Sequence, residues 1–307
     1  MSTLARVPQL LVYGIISGSI LSLGGIGVSL IYSILGFSNF AHGDVMALGA
    51  YIALGLLGLF TMIGVPNTPL GPLSFGLGFI LALILAVGLT AVAMILIDRV
   101  LFRRLRHSGP IILMMSSIGL ALGLRNVLQF VWGPQPHYYI ERIQVALPIP
   151  GIPARIKTDE VFIILMAMLL VTLVYLFMRY TKMGKAMRAM ADNAALARVT
   201  GINTDRVIAW TWVIGGGLAA VAGILSGIEN KFITPELGWQ MLLSIFAGVI
   251  LGGIGNPYGA ILGGLIIGIS EEVSTAFIST GYKPAVAFVI MILMLLVRPT
   301  GILGKGD

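Results

Sequence analysis

Cysteine is absent from the 307 residues, which excludes disulfides, thiolate metal sites and cysteine nucleophiles. Charge is scarce as well. Charged residues make up 10% of the chain and hydrophobic ones 58%, too apolar for an ordinary soluble domain. The three histidines, His42, His107 and His137, lie far apart in different loops, so no metal site is expected. No G-x-x-x-x-G-K-[ST] stretch occurs, so the chain cannot hold ATP in the P-loop manner. With no catalytic motif of another kind, neither an active site nor a cofactor is expected. The N-terminus lacks a cleavable signal: Arg6 is its one charge, and the apolar run that follows has no small-residue cleavage site.

What the chain does have is glycine and long apolar runs. Forty glycines point to tightly packed spans, because small residues let membrane helices approach closely. The net charge of +7 invites a nucleic-acid partner. Its distribution argues against one, since the basic residues sit in short loops beside hydrophobic spans, as the positive-inside rule requires. The expected partner is the lipid bilayer.

Residues 10–32 are long enough to cross a bilayer core, and Gly14, Gly18 and Ser22 make a small face for another helix. Spans follow at 45–63 and 73–97. The loop 98–109 carries Arg99, Arg103, Arg104 and Arg106 and is placed in the cytoplasm. The span 110–132 contains Arg125 near its outer end, where snorkelling to the interface is expected. The proline-rich loop of about 133–159 is placed outside. The span 161–178 returns the chain to a second cytoplasmic loop, about 179–206, with six basic and two acidic residues. The span 207–228 leads outward, and Arg298 and Lys305 at the end of the chain are placed inside. The side of the N-terminus is left open by Arg6 alone.

Trp239 to Ser270 is apolar but interrupted at Gly255, Asn256 and Pro257. One straight helix would run about 48 Å, against a hydrocarbon core of about 30 Å. Either a re-entrant pair or two short passes is expected. The fold is thus an all-α polytopic integral membrane protein, one transmembrane domain over 1–307. It should have about eight crossings and two broken or re-entrant segments.

The two interrupted stretches share a pattern, LGFSNFAHG at 35–43 and LGGIGNPYG at 251–259. Interrupted segments in corresponding positions mark an internally duplicated transporter, and unwound backbone at membrane depth must be buried or line a cavity. Asn39, His42, Asp44 and Asn256 are therefore placed near a translocation path. The plainer reading makes Asp44 a helix cap at a wet interface and Asn39 a partner for freed backbone groups. Glu271 and Glu272 read as a solvated helix end, or as a gate or intersubunit lock.

Between Gly184 and Gly201, both plausible breakers, Met183, Met187, Met190, Ala194 and Ala197 form one apolar stripe, with Lys185, Arg188 and Asp192 opposite. One helix, Lys185 to Val199, is expected. It could lie on anionic lipid headgroups or dock a partner.

GKAMRAMADN…GINTDRVIAWTWVIGGGLAAVAGIL resembles the loop-and-helix signature of the branched-chain amino acid family of bacterial ABC-importer permeases. IYSILGFSNFAHGDVMALGAYIA, SIFAGVILGGIGNPYGAILGGLIIGISEE and the terminal RPTGILG are similar to the same family, so the resemblance covers about 10 to 304. It implies an ATP-driven importer permease in a bacterial inner (plasma) membrane. The implied partners are a second permease subunit, homologous or identical, two cytoplasmic ATPase subunits and an external substrate-binding protein. It also implies that the loop helix is a coupling helix, with Met187 and Met190 as anchors in an ATPase groove and Lys185, Arg188 and Asp192 beside them. The substrate it implies is a branched-chain or other neutral amino acid, with urea or a short amide as the alternative. An ion-coupled secondary carrier, the competing class, calls for buried ionisable relays. Few residues here would serve, and the loop helix would be idle.

Overall fold

A computed structural model of the protein describes residues 3–139 and 144–304. Lys305, placed inside by the sequence, lies outside the described residues.

The chain forms α1 (Thr3–Leu35), α2 (His42–Met62) and α3 (Leu77–Ile97). Helix α3 widens through a π-turn at Asp98–Phe102 into the short α4 (Arg103–Leu105). Then come α5 (Pro110–Trp132), a two-residue hairpin of β1 (Leu147–Pro148) and β2 (Arg155–Ile156), and α6 (Thr158–Tyr180). They are followed by α7 (Lys182–Asp192), α8 (Ala194–Val199), α9 (Thr204–Asn230), α10 (Leu237–Gly252), α11 (Pro257–Ser274) and α12 (Lys283–Val297). Among the described residues, seven helices are long and apolar enough to cross a membrane: α1, α2, α3 with its extension, α5, α6, α9 and the last. To these the hairpin of α10 and α11 adds two shorter helices of 16 and 18 residues.

Helices α1 and α9 form the centre, and α5, α6 and α12 ring it. The outer faces carry Phe130, Leu165 and Leu296, all widely exposed. Such large apolar faces have no place in water and are what lipid covers.

The arginine-rich turns after α3 and α6 share one end of the bundle, where Asp205 at the start of α9 binds both Arg103 and Arg106 at 3.1 Å. This is the basic end. At the far end, Gln9 on α1 exchanges two hydrogen bonds with the Arg155 backbone, at 2.9 and 2.7 Å. Helix α1 therefore starts at the far end, a side that the sequence leaves open.

The small faces are packing surfaces. Gly14, Gly18 and Ser22 of α1 lie on Ile269, Leu265 and Gly264 of α11, and Ser22 donates to the Ile261 carbonyl at 2.9 Å. Ala220 and Gly223 of α9 lie on Gly49 and Met46 of α2. At both contacts a larger side chain would meet backbone.

Two segments interrupt the bundle in mirrored fashion. From the basic end of α1, residues 36–41 turn back without helix, and α2 begins well inside the bundle, with His42 against Gly27 of α1 and Met46 against Gly24 and against Gly223 of α9. From the far end of α9, residues 231–236 turn back likewise, and α10 begins beside the start of α2, with Gly43 against Gly238. The two helices then run to opposite ends, as in an inverted repeat. This differs from the pairing that the sequence pattern suggests. The turn at 253–256, Gly253 and Gly255 both at positive φ, instead sits at the basic end between α10 and α11. What 35–43 and 251–259 share is an asparagine whose side chain accepts from the N–H two residues on. Asn39 Oδ1 accepts from the Ala41 N–H at 3.1 Å, and Asn256 Oδ1 from the Tyr258 N–H at 3.0 Å.

Candidate translocation pathway and docking surface

Asn39, His42 and Asp44 all belong to the start of α2. Asn39 holds the non-helical turn, and its Nδ2 is buried without a partner among the described residues. The Phe40 N–H donates to Ser117 Oγ of α5 at 3.1 Å, which ties the turn to a second helix. The His42 ring packs where Gly27 of α1 leaves room, close to the Gly215 backbone of α9, and its Nε2 is also unpartnered. A Cβ on Gly27 would come within 2.6 Å of the ring.

Asp44 is completely buried in the first turn of α2, where the helix dipole favours an anion. The helix starts at His42, so Asp44 is not the solvated cap of a helix beginning at Val45. It accepts a bidentate pair from Arg125 of α5, Nε at 3.0 Å and Nη2 at 3.2 Å. The guanidinium also lies under the Trp239 ring of α10, 5.0 Å from its centroid. Arg125 is about 22 Å along α5 from the basic end. It does not snorkel outward either: its side chain is 15% exposed, is held by Asp44 and closes a junction of α2, α5 and α10. Nothing in the spacing foretells this pair, 81 residues apart. The available signal is that a charge inside a span needs a partner.

Glu271 and Glu272 are not a solvated helix end either. Glu271 is buried and accepts from Ser244 Oγ of α10 at 2.5 Å. Glu272 pairs with Lys283 at 2.5 Å and accepts from Ser17 Oγ, which also bonds Glu229.

Asn256 is not brought to this junction. It caps α11 at the basic end, and its Nδ2 donates to the Leu303 carbonyl at 2.7 Å. There it lines a cavity of about 730 Å³ together with Tyr32, Met178, Met187 and Arg188. It thus keeps company with the loop helix.

That loop is two helices, not one. Thr181 Oγ1 accepts from the Gly184 N–H at 2.9 Å and starts α7. Gly184 is inside the helix, pressed against the Met178 backbone, and does not break it. Extended Asn193 ends α7 and caps α8 through the Leu196 N–H at 2.9 Å. Gly201, at φ +87°, ends α8, and Asn203 caps α9. The apolar stripe faces inward. Met187 and Met190 are buried in this chain's own core, so they seat α7 on the bundle and are not free to anchor in a partner. The outward face presents Lys185, Arg188 and Asp192, then Leu196 and Val199 of α8, 59% and 81% exposed. The last two were masked in the sequence by treating the loop as one helix. Asn193 after Asp192, a capping residue in mid-pattern, was the available sign.

An all-α bundle with lipid-facing sides, two half-buried helix starts meeting inside it and an amphipathic platform at its basic end is a membrane transport subunit. The sequence matches the family described as "Branched-chain amino acid transport system / permease component" over residues 10–295. The chain belongs to that family. It is 37% identical to the high-affinity branched-chain amino acid transport system permease protein LivH of Escherichia coli (strain K12), over 96% of this chain and 94% of that one. It is 34% identical to the corresponding protein BraD of Pseudomonas aeruginosa, over 97% and 96%. The permease protein LivM of E. coli K12 is 29% identical over 47% of this chain and 34% of its own length. No solved structure matches.

Proposed function

We propose that this permease carries branched-chain amino acids across a bacterial inner membrane, driven by ATP. The names of its full-length relatives support the substrate. The partial likeness to LivM supports a second, homologous permease as its partner. Two ATPase subunits stand on the basic, cytoplasmic side, and a binding protein delivers substrate to the far end, where residues 133–139 and 144–159 lie. The observation that carries this reading is the platform of α7 and α8. It is rigidly seated through Met187 and Met190, yet it offers Lys185, Arg188, Leu196 and Val199 outward. A surface of that kind transmits force from a soluble partner. The pathway follows the start of α2 past Asn39, His42 and Asp44, and Asn256 belongs to the coupling end.

The test is uptake into proteoliposomes holding both permeases and the ATPases. Leucine should enter only with ATP and the loaded binding protein. Uptake that follows an imposed ion gradient without ATP would make the chain a secondary carrier instead.

The orientation has its own check. The native chain has no cysteine, so single cysteines label against a clean background. Ser108→Cys, exposed at the basic end, should react with impermeant thiol reagents only in inverted vesicles, and Gln135→Cys only in intact spheroplasts. The opposite pattern would reverse the topology.

A further inference from the structure

A buried ion pair at mid-bundle needs a reason. Apolar residues of similar size hold helices together as well or better, so such a pair is weak evidence for stability. Asp44 and Arg125 are moreover joined where three helices meet, two of them beginning at that point with their N-termini together.

The pair is incompletely used. Arg125 spends Nε and Nη2 on Asp44, and its Nη1 makes no hydrogen bond among the described residues. Each carboxylate oxygen of Asp44 takes one bond from the guanidinium, and with its side chain 0% exposed the carboxylate is uncovered to a ligand only when the two helix starts part during transport. The guanidinium keeps some exposure, and beside it Trp239 is half-exposed, as is Leu243 one turn further along α10. The rings of Phe40 and Phe246, 5.2 Å apart, extend this apolar surface along α10.

We propose that Asp44 and Arg125 read the zwitterionic head of an α-amino acid in passage, Arg125 taking its carboxylate and Asp44 its ammonium. The proposal rests on the amino-acid reading given above. A guanidinium fork matches a carboxylate bidentately. A zwitterion placed against the pair adds no net charge and leaves no charge unmatched, whereas a lone cation or anion strands one partner in a low-dielectric site. Without substrate the two residues satisfy each other, so the empty junction carries no bare charge. Trp239 and its neighbours offer contact to a branched apolar side chain and discriminate weakly among such side chains.

Trp239 reports on the site directly. In the purified complex, L-leucine should change its fluorescence saturably, with Trp239→Phe isolating the signal from the other tryptophans. Isovalerate, which lacks the ammonium, and isoamylamine, which lacks the carboxylate, should leave it unchanged at the same concentrations. Asp44→Asn with Arg125→Gln should abolish the leucine response. If that double variant does not assemble, Arg125→Lys, which keeps the charge and loses the fork, should need at least tenfold more leucine. Equal responses to all three compounds, or none to leucine up to its solubility, would overturn the proposal. Wild-type proteoliposomes that take up leucine with ATP but show no Trp239 response sink this inference alone. A complex that transports no leucine removes the reading beneath it too.

Discussion

Gly238→Val should yield no assembled permease. The starts of α2 and α10 cross at Gly43 and Gly238 so closely that a Cβ on Gly238 would overlap the Gly43 carbonyl oxygen. Backbone, not a flexible side chain, is in the way, so neither helix can relieve the clash by a rotamer change. Overpacking of this kind costs about 3 kcal/mol or more, and the strain falls on a junction that also holds Asp44 against Arg125. The expected measurement is recovery of the monodisperse complex from mild detergent, with the variant under about a tenth of wild type for that cost. Gly119→Ala on α5 is the matched control, because a Cβ there meets nothing. Wild-type recovery of Gly238→Val would mean that the two helix starts stand farther apart than described.

Most of this architecture was legible because the bilayer imposes simple rules. Apolar runs of span length gave α1, α2, α3, α5, α6 and α9, and the run of small residues Gly14, Gly18, Ser22 named a packing face that α11 does occupy. The turn before α2 was legible too, because Gly36 and Asn39 sit where an unbroken helix would carry apolar residues. What escaped depends on contacts between distant segments. Arg125 and Asp44 are 81 residues apart, and Ser17 and Glu229 are 212 apart. No local pattern states which helix a buried charge will face. Read without those contacts, Arg125 looked like a snorkelling residue and Glu271 like a helix end. The end of α9 was legible, since 229–238 reads as an external loop, but its turn back into the bundle was not, because Lys231, at φ +68°, takes the left-handed turn usually left to glycine. Its sequence therefore carries no glycine signal, whereas Gly255 advertised a turn of a different kind.

The loop platform illustrates how a correct pattern can point the wrong way. A stripe of Met187 and Met190 opposite Lys185 and Arg188 is amphipathic, but amphipathicity alone does not say whether the apolar side meets a partner or the chain's own bundle. The structure gives it to the bundle. Two substitutions consequently separate into different outcomes. Met187→Asp buries a charge where the side chain is 0% exposed, and an unpaired buried charge costs several kcal/mol. Little folded permease should be recovered. Leu196→Asp or Val199→Asp changes a side chain already in contact with solvent, so the permease should be recovered at the wild-type level. A docking interface of ordinary size would then carry an uncompensated charge near its centre, and truncated or charged central contacts cost 2 kcal/mol or more, roughly a thirtyfold loss of affinity. The ATPase subunits should therefore fail to co-purify with Leu196→Asp, and ATP-driven leucine uptake should fall with them. Normal co-purification and uptake in both Leu196→Asp and Val199→Asp would remove α8 from the docking surface, leaving Lys185 and Arg188 as the outward contacts to be tested in the same way.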